Sequence, residues 1–264
     1  MKKLALLTLH GMGKFKPNYY RDLEDGLQKR LGAGWAAISF QPVQYGDLLQ
    51  VPEEELWQDM AAANDLDFVG LRQFLLYGFG DAGSLEHSAH APGDTKYKQV
   101  QRRIQDRLRA ALLDLGNDPA KPVVVIAQSL GCQVVSNYIW DAQHNRQIFA
   151  GTEPDQTPAM QFLRLATLAN LTTTGCNIPV FIAGLSPRVC FTPPAACTWD
   201  NYFDPDDVLG WPLRQLGPTF GFINDRAINA GGVFTAWNPA SHGEYWSDGD
   251  VLDPLADRLR RLLP

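Results

Sequence analysis

The sequence predicts an α/β fold in which a mostly parallel β-sheet carries helices on both faces. Short, continuous apolar segments alternate with longer segments whose apolar residues recur at helical spacing, a pattern typical of parallel sheets. The clearest strand, residues 122–127, contains three valines and an isoleucine in succession. The clearest amphipathic helix, residues 99–115, precedes that strand, and Val100, Ile104 and Leu108 form part of its apolar stripe.

The first third of the chain supplies two strands and a helix. Residues 4–9 are almost continuously apolar and predict a buried strand. Residues 19–31 predict a helix with leucines four residues apart, and Gly32 and Gly34 end it. Residues 38–45 alternate well enough to predict a second strand.

The remaining elements continue the alternation towards the carboxyl terminus. Residues 132–141, directly after the clearest strand, predict a buried helix. Residues 162–171 and 199–203 are further strand candidates, and residues 251–263 predict the last helix. We expect these elements to form a single domain that spans residues 1–264.

Residues 53–94 interrupt this alternation because they are long and aromatic. The segment can be a helical part of the core, or it can be a mobile cover over a pocket. Its apolar residues recur partly at helical intervals, and on this basis we expect a cap or lid inserted into the domain and lying over the active-site pocket. The residues expected to face that pocket are Phe68, Leu71, Phe74, Leu75 and Phe79.

Composition excludes several classes of protein. The chain has 264 residues, 23 Lys and Arg against 29 Asp and Glu, and a net charge of −6, so no basic nucleic-acid-binding face is expected. A hydrophobic content of 45% argues against disorder. No segment reaches the roughly 20 apolar residues of a transmembrane helix, and the short apolar segment near the start lacks a cleavage site. These features predict a cytoplasmic protein, while the oligomeric state stays open.

The cysteines do not predict a metal site. Cys132, Cys176, Cys190 and Cys197 lack the spacing of a metal-binding motif. A bridge between Cys190 and Cys197 is an alternative to free thiols, which are the usual state in a cytoplasmic protein. We therefore expect neither a metal ion nor an organic cofactor.

A candidate nucleophile follows the clearest strand. The segment Ala127-Gln128-Ser129-Leu130-Gly131 places a serine between two small residues, where a strand passes into a helix. Such a sharp turn needs small neighbours and lifts the hydroxyl clear of the sheet. The alternative role for Ser129 is to cap the helix.

A second motif follows the first strand. His10-Gly11-Met12-Gly13 is a glycine-rich turn whose backbone N–H groups could stabilise a tetrahedral oxyanion. We expect the N–H groups of Met12 and Leu130 to form that oxyanion hole, with His10 bracing the turn. A phosphate-binding turn is the alternative, but the spacing lacks both GxxxxGK and GxGxxG.

A serine nucleophile needs a base and an orienting carboxylate. His242 lies in a predicted loop before the last helix, where it can lean over the edge of the sheet. Asp204, Asp206 and Asp207 follow a strand, and because three buried charges would repel one another, one of them is expected to turn inward. We favour Asp206, whose spacing to the apolar residues at 208–209 suits an acid that is followed by an apolar anchor, while Asp204 and Asp207 stay open.

These motifs together resemble the α/β-hydrolase superfamily, and within it the lipase-like serine esterases. The segments Leu-His-Gly-Met-Gly, Ala-Gln-Ser-Leu-Gly, Tyr-Phe-Asp-Pro-Asp-Asp-Val and Ser-His-Gly-Glu-Tyr-Trp occur in that order along nearly the whole chain. The resemblance implies Ser129 as nucleophile, His242 as base, and Met12 and Leu130 as oxyanion donors. Members often have His where this chain has Gln128. The chain also begins at the strand before the oxyanion turn, so the first two strands of that fold are expected to be absent.

The implied activity is hydrolysis of carboxylic esters through an acyl-enzyme, without a metal or cofactor. The substrate would be a small-molecule or lipid ester. The alternatives on the same residues are thioester or amide hydrolysis and acyl transfer to an alcohol. An inactive hydrolase fold that serves as a binding module is the alternative of another class.

Overall fold

The computed structural model describes residues 1–11, 16–151, 157–230 and 244–263. Its centre is one six-stranded sheet. The strands are β1 (Leu4–Leu9), β2 (Ile38–Val43), β3 (Val123–Gln128), β4 (Leu168–Thr174), β5 (Thr198–Phe203) and β6 (Asn224–Ala227). Their order across the sheet is β2-β1-β3-β4-β5-β6, and every neighbouring pair is parallel.

Eight α-helices accompany the sheet in the part of the chain that the structure describes. They are α1 (Arg21–Leu31), α2 (Gly46–Ala63), α3 (Val69–Ala89), α4 (Lys96–Asp114), α5 (Leu130–His144), α6 (Pro158–Leu163), α7 (Ile178–Ile182) and α8 (Gly249–Leu262). Apart from the strand predicted at residues 162–171, each predicted strand and helix outside residues 53–94 has a counterpart with bounds that shift by a few residues.

The core is divided by the sheet into two apolar clusters. One cluster joins residues of α1 and α8, such as Leu23, Leu27 and Leu255, to β1 and β3. The other joins residues of α4 and α5, such as Ile104 and Val135, to the opposite side of the same strands. The predicted fold class is confirmed: the sheet is parallel, and helices cover both of its faces.

Two elements differ from the sequence-based expectation. Residues 162–171 are not one strand, because Pro158 starts helix α6 and the side chain of Thr157 accepts a hydrogen bond from the N–H of Met160. Strand β4 begins only at Leu168. Strand β6 was not predicted, since its sequence, Asn-Asp-Arg-Ala, is polar and it lies at the edge of the sheet.

Most of the apolar residues of segment 53–94 that are expected to face the pocket are exposed, and a cap over the active site stays a prediction. The segment is mostly helical, as expected, and consists largely of α2 and α3. However, Phe68, Leu71, Leu75 and Phe79 are exposed to solvent, and Phe74 is only partly buried. They therefore do not belong to the buried core of the described residues. The buried face of α3 is formed instead by Tyr77, Asp81, Ala82 and Leu85.

The inner faces of α2 and α3 enclose an ionisable group. Glu53 is 7% exposed, and neither of its carboxylate oxygens has a hydrogen-bond partner among the residues that the structure describes. Burial, together with the nearby carboxylate of Asp81, raises the pKa of Glu53 from 4.5 to about 8. Between pH 4.5 and pH 8, the Glu53 carboxyl group therefore keeps its proton in the folded protein and loses it in the unfolded chain.

We expect this proton to make stability fall as the pH rises. The favourable contribution of neutral Glu53 is fully present below pH 4.5 and is lost as the pH approaches 8. Glu53→Gln keeps the shape and removes the charge, so it should raise the free energy of unfolding at pH 8 by roughly 1–3 kcal/mol. Urea unfolding at pH 5 and pH 8 measures this difference. Exposed Glu55 provides the matched control, Glu55→Gln, and an equal effect of Glu53→Gln at both pH values would contradict the prediction.

Several further features concern the described residues as a whole. None of the helices in the described ranges is both long and apolar enough to cross a membrane. All four cysteines are free, so Cys190 and Cys197 do not pair. Within the same ranges, no group of three or more His, Cys, Asp and Glu side chains could hold a metal ion.

Candidate active site

The candidate site lies where the strand order changes direction. Strand β1 has the following strand, β2, on one side and β3 on the other. In open parallel sheets, ligands bind outside the carboxyl ends of the strands at such a switch point. The carboxyl ends of β1 and β3 lead directly into His10 and Ser129. The two motifs singled out from the sequence therefore meet at this edge of the sheet.

Ser129 occupies the sharp turn that the sequence predicts. It lies between the last residue of β3 and the first of α5, with φ 52° and ψ −124°. Residues that carry a Cβ atom rarely adopt this backbone conformation, and holding Ser129 in it costs on the order of 1–3 kcal/mol. The Ser129 N–H donates to the carbonyl of Thr174 at 3.0 Å, and its own carbonyl accepts from the N–H of Cys132 at 2.9 Å. These two bonds hold the strained turn.

Two glycines allow the close packing around this turn. A Cβ on Gly11 would lie 2.7 Å from the Cβ of Ser129 and 3.3 Å from its Oγ. A Cβ on Gly131 would lie 2.6 Å from the carbonyl oxygen of His10 and 2.8 Å from that of Leu9. Only a hydrogen fits at either position, so both glycines of the predicted motifs are needed for the first turn of α5 to approach β1.

The Ser129 hydroxyl does not cap the helix. No hydrogen bond from the α5 backbone reaches its side chain. The Oγ atom is buried and has no hydrogen-bond partner in the described parts of the chain. A buried hydroxyl normally finds a partner, so an orphaned one in a strained turn is a candidate reactive group.

One of the two predicted oxyanion donors lies beside this hydroxyl. Leu130 is the first residue of α5, and the N–H groups of a first helical turn have no carbonyl partner within the helix. The partial positive charge at the start of α5 adds to its affinity for an anion. The other predicted donor, Met12, lies outside the described residues, as does Gly13.

His10 braces the turn, as expected from the sequence. Its ring stacks on that of Tyr45 with the centroids 4.0 Å apart, and the Tyr45 hydroxyl donates to the His10 carbonyl. The Tyr45 N–H donates to Nε2 of His10 at 3.4 Å, which leaves Nδ1 to donate to the Gly11 carbonyl at 2.9 Å. Burial lowers the pKa of His10 to about 4, so the imidazole is neutral near pH 7.

The acidic cluster after β5 buries two carboxylates instead of the single one expected. Asp204 and Asp207 are buried, while Asp206, the residue favoured from the sequence, is exposed. Asp204 accepts the Asp206 N–H through Oδ1 and the Ala230 N–H through Oδ2, both at 2.8 Å. Asp207 accepts the Leu209 N–H through Oδ1 at 3.0 Å. Burial thus favours Asp204 or Asp207 over Asp206 as an orienting acid.

Tyr245 links the carboxylate of Asp207 to the backbone of Asp204, and nothing in its residue type singled it out beforehand. Its hydroxyl donates to Oδ2 of Asp207 at 2.8 Å and accepts from the Asp204 N–H at 2.9 Å. A Cβ on Gly210 would lie 2.7 Å from that Asp207 oxygen, so the glycine makes room for the contact. The only signal in the sequence is that Tyr245 belongs to the same short motif as His242.

His242 itself lies outside the described residues, in segment 231–243. Both flanks of this segment are held at the edge of the sheet that carries Ser129. On one flank, the Ala230 N–H binds Asp204. On the other, the Trp246 indole donates to Oγ1 of Thr174, the last residue of β4, at 3.1 Å. The carbonyl of this same threonine receives the Ser129 N–H.

Comparisons with known proteins return matches only among solved structures. No protein-family model matches the sequence, and no curated protein matches it. The structure is similar to that of an acetylxylan esterase, with 12% identity, a TM-score of 0.43 and full coverage of both chains. It is also similar to a cutinase-like protein from Cryptococcus sp., with 11% identity, a TM-score of 0.43 and coverage of 99% and 95%.

A third similar structure is a putative YdeN-like hydrolase from Pectobacterium atrosepticum. It has 11% identity and a TM-score of 0.40, with 99% of this chain and 94% of that chain covered. At such identities and TM-scores, the likenesses assign no substrate and no residue role. The function proposed below therefore depends on Ser129 and its surroundings.

Proposed function

We propose that the protein is a serine hydrolase that cleaves carboxylic esters through an acyl-enzyme. The observation that carries the proposal is Ser129: its hydroxyl is buried and unpartnered in the described structure, in a strained strand-to-helix turn against Gly11. A capping or purely structural serine has no need of this conformation. The N–H at the start of α5, beside the hydroxyl, has no carbonyl partner within the helix and could supply what an acyl-transfer site requires for its oxyanion.

The proposed reaction gives each of these residues one role. The Ser129 Oγ attacks the ester carbonyl, and His242 accepts the serine proton as the new C–O bond forms. The carbonyl oxygen becomes an oxyanion bound by the N–H groups of Leu130 and Met12. Its collapse breaks the bond to the alcohol, which receives the proton from His242. Water then attacks the acyl-enzyme by the same steps and releases the acid and Ser129.

Asp207 is the orienting acid in this proposal, in place of Asp206. A carboxylate that holds an imidazole in position has to be shielded from water, and the Asp206 side chain is exposed. Among the two buried candidates, Asp204 binds the N–H of Ala230, twelve residues before His242. Asp207 binds the hydroxyl of Tyr245, only three residues after His242. Asp207 is therefore the carboxylate whose hydrogen-bond partner lies nearer to His242 along the chain.

A fluorophosphonate probe tests this proposal directly. We expect one covalent adduct per chain, located at Ser129 by peptide mass spectrometry, because only an activated serine attacks the phosphorus at a useful rate. Heat-unfolded protein is the control and should not react. Absence of the adduct in folded protein would favour the binding-module alternative, and an adduct on another serine would remove Ser129 from its proposed role.

A further inference from the structure

Tyr45 makes three contacts with the residue that opens the oxyanion turn. It lies between β2 and α2, at the edge of the sheet where β1 ends, because Leu9 of β1 pairs with Val43 of β2 in parallel register. Its hydroxyl donates to the His10 carbonyl, and its N–H donates to Nε2 of the His10 ring at 3.4 Å. The two rings stack with an interplanar angle of 19°. One residue therefore holds both the backbone and the side chain of His10.

The His10 carbonyl is the backbone group that these contacts fix. A peptide bond is planar, so the direction of this carbonyl also sets the direction of the Gly11 N–H in the same unit. The carbonyl oxygen faces the first turn of α5 at close range, since a Cβ on Gly131 would lie 2.6 Å from it. Without the Tyr45 hydroxyl, this buried carbonyl loses a donor, and the peptide is no longer held in one direction. The hydroxyl therefore sets the orientation of the peptide between His10 and Gly11.

Gly11 is the point at which this peptide meets the nucleophile. A Cβ on Gly11 would lie 2.7 Å from the Cβ of Ser129 and 3.3 Å from its Oγ, so the Gly11 backbone lies against the serine side chain. The His10 ring, which Tyr45 holds, also binds the Gly11 carbonyl through Nδ1 at 2.9 Å. Gly11 directly precedes Met12, the second proposed oxyanion donor. A chain of contacts thus runs from Tyr45 through His10 and Gly11 to Ser129.

The surroundings of Tyr45 make its hydroxyl a permanent and fixed donor. The side chain is fully buried, in the same apolar cluster as Leu130. Burial raises the pKa of Tyr45 well above its usual value near 10, so the hydroxyl keeps its proton throughout the neutral pH range. Tyr19 contacts the His10 ring edge-on, with the ring centroids 4.9 Å apart. The His10 ring therefore packs against two aromatic neighbours.

We propose that Tyr45 is a positioning residue of the active site, and that its hydroxyl holds the peptide between His10 and Gly11 where the oxyanion turn can reach the substrate. Tyr45 touches neither the substrate nor Ser129 and acts only through His10 and Gly11. When this peptide is displaced, the substrate still binds, but the negative charge that develops on its carbonyl oxygen is stabilised less. This proposal rests on the serine-hydrolase function and adds to it a residue that belongs to none of the four sequence motifs.

The test uses Tyr45→Phe, which keeps the ring and the main-chain N–H and removes only the hydroxyl. Its substrates are p-nitrophenyl acetate and the thiono analogue, in which sulfur replaces the carbonyl oxygen. Sulfur is a weak hydrogen-bond acceptor, so an oxyanion hole accelerates hydrolysis of the oxygen ester far more than that of the thiono ester. We expect Tyr45→Phe to lower kcat for p-nitrophenyl acetate by about 10- to 100-fold at an unchanged KM. The ratio of the kcat/KM values of the two esters should fall by about tenfold.

Tyr138→Phe is the matched control. Tyr138 is also fully buried, and its hydroxyl donates to a main-chain carbonyl, that of Leu163. It lies about 12 Å along the axis of α5 from Leu130, away from the oxyanion turn. This variant should lose a similar amount of stability and keep the wild-type kcat and the wild-type ratio. All rates are measured in sucrose, which favours the folded state, so that a moderately destabilised variant still folds.

A folded Tyr45→Phe with an unchanged ratio, whatever its kcat, would overturn the proposal, and so would an equal fall of the ratio in Tyr138→Phe. A wild-type ratio equal to that of the uncatalysed reactions of the two esters would overturn it without any variant. Failure of Tyr45→Phe to fold would make the hydroxyl a requirement of the fold and would also overturn it. Hydrolysis of neither ester, together with no fluorophosphonate adduct, would instead refute the hydrolase function itself.

Discussion

Ser129→Ala is expected to lower ester turnover by about 10⁶-fold, because a nucleophile and its base act as a unit and the loss of either removes nearly all of their joint effect. Turnover of p-nitrophenyl acetate by the purified variant measures this change. The fold should survive, since the Oγ atom makes no hydrogen bond within the described structure. The melting temperature should therefore stay close to that of the wild-type protein.

The matched control is Ser84→Ala, the same substitution on α3 at a distance from the strained turn. It should leave turnover unchanged. Turnover of Ser129→Ala at the wild-type level would show that another residue attacks the ester. A drop in turnover that is accompanied by unfolding would not count for the prediction, so circular dichroism of both variants belongs to the measurement.

The sheet that carries the site was predictable because its central strands are buried on both faces. In β1 and β3, apolar residues follow one another without alternation, and this is the pattern that marks a parallel strand covered by helices. Strand β6 lies at the edge and is polar, so no hydrophobic pattern distinguishes it from a loop. The meeting of Gly11 with Ser129 followed from parallel strand order, since the ends of neighbouring parallel strands share an edge.

The exposed residues of α3 show that helical spacing alone does not predict which face of a helix is buried. The spacing of Leu71, Leu75 and Phe79 correctly places them on one face of a helix. Spacing does not tell whether that face meets another element, and here it meets solvent. The inner face is set instead by contacts with α2 and α4, which come from packing in three dimensions.

The burial of the three aspartates was not predictable for a similar reason. Local sequence places Asp204, Asp206 and Asp207 within four residues, where turns send consecutive side chains in different directions. Backbone N–H groups at 206 and 209 bind the carboxylates of Asp204 and Asp207 and set their directions. The hydroxyl of Tyr245 binds the carboxylate of Asp207. The two residues are 38 positions apart along the chain, and no local sequence pattern predicts a contact at that separation.

Asp207→Asn is expected to reduce turnover by about 10⁴-fold, the usual loss when the orienting acid of a serine hydrolase becomes an amide. An amide donates through its NH₂ group where the carboxylate accepts, so it would favour the wrong tautomer of His242. The rate of p-nitrophenyl acetate hydrolysis between pH 5 and pH 9 measures the loss. Binding of substrate does not involve this group, so kcat should fall and KM should change little.

The variants Asp206→Asn and Asp204→Asn test whether the other two aspartates contribute to catalysis or to stability. Asp206→Asn changes an exposed side chain and should leave the rate within a factor of about two. Asp204→Asn removes one acceptor for the N–H groups of Asp206 and Ala230, so it should lower the melting temperature more than the rate. If Asp206→Asn were the crippling change, the buried carboxylates would be structural, and the acid would have to reach His242 from the solvent side. If Asp204→Asn lowered kcat at an unchanged melting temperature, the orienting role would pass from Asp207 to Asp204, with the same nucleophile and the same base.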